Sequence, residues 1–158
     1  MNAELKADGT VELRIEREFS YPPEKVFEAW LRPEQLAQWM GPSDEINVAN
    51  VQLDAVEGGH YQMEFTYAEG GGSQLNGVYK TIQRYTKLVF TWAWDKSEED
   101  GGNEETLVTL EFTPTDVGTR LNLLHEKFTS AEIRDRHGWG WNGTFDKLER
   151  RAQQIFAD

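Results

Sequence analysis

From Ser130 the hydrophobic period of this chain becomes helical and stays so to the C-terminus. Between about residues 46 and 128 apolar residues recur at every second position, and from Ser130 onward they recur at steps of three or four. Ile133, His137, Trp141, Phe145, Leu148, Ala152 and Ile155 therefore share one face of a long helix. A single long helix after a run of strands has one partner of matching size, the concave face of the sheet. The pattern predicts an α+β fold in which a curved antiparallel sheet of six to seven strands wraps a C-terminal helix. The strands carry more large residues than a tight helix-on-sheet contact needs, so a cavity is expected between the two layers.

The strands are read from their alternation. In "VELRIEREF" (11–19), Val11, Leu13 and Ile15 oppose Glu12, Arg14 and Glu16. Two short helices follow, over 23–31 and 33–40, each opened by a proline suited to a first turn and the second stopped by Gly41-Pro42. Parity then switches between Ile46/Val48 and Val51/Leu53/Ala55, which predicts a bulge near Asn50. "HYQMEFTY" sets Tyr61, Met63, Phe65 and Tyr67 against His60, Gln62, Glu64 and Thr66. "EGGGSQLNG" reads as a loop, 76–84 and 87–95 as strands, and "KSEEDGGNEE" as a charged loop. "TLVTLEF" and "TRLNLLHEKF" complete the sheet, with His125 on the face of Leu121 and Leu123. Ser130 is placed to cap the long helix, whose "HGWGWNG" predicts either a kink or the close approach of another backbone.

Composition narrows the class. At 158 residues one domain spanning 1–158 is expected. With no cysteine, disulfides and thiolate metal sites are excluded. The N-terminus lacks a basic segment followed by an apolar one, and no apolar run reaches membrane-spanning length, so a cytoplasmic protein is expected. Sixteen basic residues against 28 acidic give a net charge of −12, a field that repels nucleic acid and anionic membranes. Only Arg134, Arg136, Arg150 and Arg151 offer a local basic patch against that average. Six tryptophans exceed the needs of a small core, and tryptophan also lines ligand pockets.

No catalytic set is recognisable from spacing. The three histidines form no HExxH and no zinc pair, no serine stands in GxSxG, and the glycine run at 70–72 lacks the Lys-Ser/Thr of a phosphate loop. "DKSEEDGGNEET" resembles a calcium loop only in acidity, because Asp100 and Thr106 occupy the required glycine and glutamate positions. Neither a metal nor a cofactor is expected. His60 has the parity of the exposed face. His125 and His137 are either satisfied core histidines or the polar groups of a cavity, with His125 the better candidate of the two.

Several stretches in order resemble one family: "FSYPPEKVFEAWLRPEQLAQWMGP", Gly58-Gly59, "GVYKTI", "KLVFTWAW", "TLVTLEFTPTDVGTRLNLLHEKF" and "GWNGTFDKLE". Together they are similar to bacterial single-domain relatives of the activator of the ninety-kilodalton heat-shock protein ATPase. These belong to the START-like, helix-grip superfamily that also holds polyketide cyclases. The resemblance runs from about residue 11 to 156. It implies the helix-grip fold and a cavity, but no catalytic residue. The chain departs from the family pattern at Arg32, at Met40 in place of a second tryptophan, and at Val56-Glu57 before the paired glycines. The first and third departures are expected to alter charge at the pocket mouth.

Three functions follow as expectations. The leading one is the binding of a small hydrophobic or aromatic molecule by Tyr61, Met63, Phe65, Tyr79, Phe90, Trp92, His125, Trp141 and Phe145, with Trp39 and Met40 closing the cavity. Trp39 and Met40 would otherwise simply plug the end of the core. The second is a co-chaperone-like interaction domain, as monomer or homodimer, although the eukaryotic activator's extra N-terminal domain is missing here. The third is a cyclase- or hydrolase-type enzyme that uses His125 and a tyrosine.

Overall fold

Strand β1 (Val11–Phe19) lies at one edge of a seven-stranded antiparallel sheet, paired to the last strand. The computed structural model describes residues 9–95 and 105–156. The remaining strands are β2 (Ile46–Leu53), β3 (His60–Tyr67), β4 (Gly72–Gln83), β5 (Lys87–Asp95), β6 (Glu105–Pro114) and β7 (Thr119–Phe128). Their spatial order is β1-β7-β6-β5-β4-β3-β2, so β2 forms the opposite edge. The chain must therefore cross the whole sheet between β1 and β2. Helices α1 (Pro23–Glu28) and α2 (Pro33–Trp39) make that crossing, each with proline in its first turn. Helix α1 ends three residues earlier than expected; Ala29, Trp30 and Leu31 follow as buried turn residues.

Alternation and burial agree in β3, β6 and β7. In β3, Tyr61, Met63 and Phe65 are buried while His60, Gln62, Glu64 and Thr66 are exposed. The bulge falls where parity switches: Asn50 adopts φ 52° and the β2–β3 register shifts between Ala49 and Gln52. One expectation is overturned. Most of the supposed loop 69–77 is strand, because β4 begins at Gly72 and pairs with β3 from Gly72–Thr66 through Gly77–Tyr61. A glycine-rich polar run has weak strand propensity of its own, but β3 supplies a complete ladder of partners. The charged loop and its calcium-loop reading rest on residues 96–104, which lie outside the described residues.

Helix α3 (Ala131–Ile155) lies over the sheet, and Ser130 caps it by accepting the Ile133 N–H at 3.0 Å. Burial extends beyond the expected stripe to Arg134, Thr144 and Lys147. Of the two readings of the helix glycines, close approach holds at Gly143, where a Cβ would collide with the Pro42 carbonyl oxygen. At Gly140 a Cβ would meet nothing within 4 Å. The two positions should therefore respond oppositely to alanine. Gly140→Ala is expected to gain about 0.5–1 kcal/mol from helix propensity. Gly143→Ala should lose about 1–2 kcal/mol, since overpacking against backbone outweighs the same gain. Urea unfolding of the two variants checks the sign of each.

The basic residues do not form a patch. Arg150 and Arg151 share Asp44 at 3.2 and 2.9 Å, Arg134 pairs with Asp135 at 2.8 Å, and Arg136 with Glu132 at 3.5 Å. Among the described residues, no helix is long and apolar enough to cross a membrane, and no group of three acidic or histidine side chains is placed to hold a metal.

Candidate functional site

The last turn of α2 divides its two large residues between different tasks. Trp39 is fully buried; its indole N–H donates to the Ala29 carbonyl at 3.2 Å and its ring packs edge-on to Trp30 at 4.7 Å. It plugs the core. Met40 leaves the helix in an extended conformation and turns toward the space between sheet and α3. Behind it, Lys147 of α3 is buried and points its ammonium at the Met40, Ser43 and Ile46 carbonyls, at 3.4, 3.0 and 3.2 Å, and at Asn47 Oδ1 at 2.8 Å. Burial pulls the Lys147 pKa down to about 8, with Arg151 adding to that pull and Asp44 opposing it. The amine is still charged at neutral pH, and it pins the segment between α2 and β2 to α3.

That segment forms the base of a pocket of about 160 Å³. Phe65 and Tyr67 of β3, Trp92 and Trp94 of β5, and His137 and Trp141 of α3 wall it, with Pro42 and Ile46 below. Trp139, 66% exposed, and Arg136 stand at its rim. The aromatic walls support one another: Phe65 meets Trp94 at 4.9 Å, and Trp92 meets Trp141 at 4.9 Å and Trp94 at 5.7 Å between ring centres.

Two histidines hold this wall and are themselves saturated. The Trp141 indole donates to His125 Nδ1 at 3.1 Å, which leaves the His125 proton on Nε2. Nε2 faces Thr106 Oγ1 at 2.7 Å, and that hydroxyl donates onward to the Trp92 carbonyl at 3.1 Å. His137 repeats the device, accepting from Trp94 Nε1 at 3.0 Å and directing Nδ1 to the Ile133 carbonyl at 2.9 Å. Burial, then the nearness of His137, pushes the His125 pKa well below its ordinary value. Tyr61 donates its hydroxyl to the Thr91 carbonyl at 2.6 Å, and burial raises the pKa of both Tyr61 and Tyr79. The tyrosines keep their protons and His125 stays neutral.

Of the residues expected to line the site, Met40, Phe65, Trp92 and Trp141 meet at the pocket. Tyr61, Met63, Tyr79 and Phe90, again with Met40 and Trp92, surround a deeper space of about 20 Å³. Trp39, His125 and Phe145 are packed in the core beside these spaces and line neither. Tyr67 and Trp94 had the right parity to be chosen with their strand neighbours. Trp139 had no such signal, because it stands off the apolar stripe of α3. The expected charge change at the mouth is not found: Arg32 pairs with Glu28 at 3.4 Å, Glu57 accepts the Ile82 N–H at 3.0 Å, and neither borders a pocket.

Comparison with known proteins agrees with this architecture. The chain is similar to a Chromobacterium violaceum protein of known structure, with 27% identity, a TM-score of 0.78, and 88% of this chain and 95% of that one covered. It is likewise similar to the AHSA1 protein of Silicibacter pomeroyi, with 28% identity, a TM-score of 0.77, and coverage of 91% and 99%. A Nitrosomonas europaea protein, at 21% identity and a TM-score of 0.77 with each chain fully covered (100%), shares the fold. No curated protein matches the chain. The seven-stranded sheet gripping one long helix is the helix-grip fold, and the sequence profile "Activator of Hsp90 ATPase homolog 1-like protein" matches residues 20–153. The chain belongs to that family.

Proposed function

We propose that this protein binds a small hydrophobic or aromatic molecule in the pocket between α3 and the sheet. The observation that supports it is the pocket itself, about 160 Å³ walled by Phe65, Trp92, Trp94 and Trp141. Apolar, aromatic-lined concavities with a few polar groups are the usual form of a small-molecule site. Size selects among ligands. An apolar cavity of about 150 Å³ accepts benzene, so a one- or two-ring arene suits this pocket. Acid–base catalysis is disfavoured, since His125 and His137 have both ring nitrogens engaged and burial keeps Tyr61 and Tyr79 protonated.

A thermal-shift series with single-ring and two-ring arenes tests the proposal. A ligand at 100 times its Kd adds about 2.7 kcal/mol, which raises the midpoint of a chain this size by roughly 5–10 °C. Gly140 borders the pocket with open space above it, so Gly140→Leu should fill the pocket, keep the fold and abolish the shift. Val117→Ser, on an exposed turn, should leave the shift intact. No shift with any arene, or a shift that survives Gly140→Leu, overturns the proposal.

A second reading has its own observation. Val56, Tyr85 and Val117 are exposed and lie in the β2–β3, β4–β5 and β6–β7 turns, all at one end of the antiparallel sheet. A partner protein such as a chaperone middle domain would dock there. A midpoint shift with that domain alone, removed by Val117→Ser, favours this reading.

A further inference from the structure

The deeper space of about 20 Å³ has room for one water-sized group. Met40 and Trp92 line both spaces and so form the wall between them. Trp30 lines the inner one only. The indole N–H groups of Trp30 and Trp92, residues 3% and 5% exposed, have no acceptor among the described residues. The indole donors of Trp39, Trp94 and Trp141 all have one. The two unpaired indoles are thus the two that border the inner space. Leaving a buried N–H unpaired is costly, and two at one chamber mark a place for an acceptor.

We propose that the site selects a small arene with a neutral hydrogen-bond acceptor at its tip, the ring held in the outer pocket and the acceptor oxygen passing Met40 to meet the Trp30 and Trp92 N–H groups. This rests on the binding function proposed above and adds the chemical class of the ligand: an aryl ketone or aldehyde rather than a hydrocarbon. The acceptor is neutral because Leu36, Met63, Leu88 and Phe90 surround the chamber and no cation borders it. A carboxylate would lose its hydration there without a counter-charge. Met40 is suited to the dividing position, since an unbranched thioether can change rotamer without moving backbone, and its carbonyl is held by Lys147.

Acetophenone and cumene test this, because they share a skeleton and differ in one terminal group, carbonyl oxygen against methyl. Indole ¹H–¹⁵N spectra of the full chain, assigned with Trp30→Phe and Trp92→Phe, follow both ligands. Acetophenone should move the Trp30 and Trp92 signals downfield and bind at least roughly three- to tenfold tighter than cumene, the value of a single well-made hydrogen bond. Cumene should move the Trp94 and Trp139 signals of the outer pocket and leave Trp30 unchanged. Trp30→Phe, which removes a donor that borders only the inner space, should keep cumene binding and reduce the preference for acetophenone. Equal affinities with unmoved Trp30 and Trp92 signals overturn the acceptor proposal and leave the outer pocket standing; a water that the ligand cannot displace gives this same result. Failure of both ligands to move any indole signal overturns both proposals.

Discussion

Replacing Lys147 with methionine should destabilise the protein by about 3 kcal/mol at pH 7, a fall in midpoint of roughly 6–12 °C. Methionine matches the lysine stem in length and packing, so the change isolates the ammonium. A buried charge replaced together with its partners is often neutral in stability, because desolvation offsets attraction. Here the partners stay. The Met40, Ser43 and Ile46 carbonyls and Asn47 Oδ1 remain turned inward with no donor from α3, and each unpaired acceptor carries a desolvation cost. The folded-state pKa of about 8 keeps the amine charged at the test pH. Being depressed below 10.5, it means the unfolded chain binds more proton between those values, so this group's contribution to stability grows as pH rises through that window. Because Met40, Pro42 and Ile46 belong to the pinned segment, Lys147→Met should also weaken ligand binding. Urea unfolding at pH 7 decides: a variant as stable as the parent means the four oxygens are satisfied without the ammonium.

Lys147 also marks where legibility from sequence ends. The alternation of Tyr61 to Phe65, the parity switch at Asn50, the Ser130 cap and the stripe from Trp141 to Ile155 are local patterns, and the structure keeps each of them. Lysine is a default surface residue, and its burial here depends on carbonyls about a hundred positions away in sequence, which no window can see. The first half of β4 was hidden for a related reason, since its ladder comes from β3 rather than from its own glycines. At the site, parity located one wall. Which aromatic residues border open space and which are packed solid depends on how α3 seats on the sheet. That seating leaves His125 and Phe145 in the core and brings Trp94, His137 and Trp139 to the pocket.

The same seating makes the protein acid-sensitive through His125. Its two nitrogens sit in a directional chain, Trp141 N–H to Nδ1, Nε2–H to Thr106 and the Thr106 hydroxyl to the Trp92 carbonyl. A second proton would have to go on Nδ1, facing another N–H, in a place without solvent and 5.3 Å from the His137 ring. The folded pKa is therefore well below 6.5, whereas the unfolded chain takes the proton near 6.5. Between those values the unfolded state binds one more proton, so stability falls as pH falls. From one such group the loss is at most about 2 kcal/mol by pH 5. His125→Gln keeps an acceptor and a donor but cannot titrate; it should be less stable than the parent at pH 8 and lose less, by up to about 2 kcal/mol, on going to pH 5. Urea unfolding of both proteins at pH 8, 6.5 and 5 measures the difference. Equal slopes would place the acid sensitivity elsewhere. Since His125 stays neutral in the folded state over this interval, the chain that sets Trp92 and Trp141 is kept, and arene affinity of the folded parent should stay level while its stability falls.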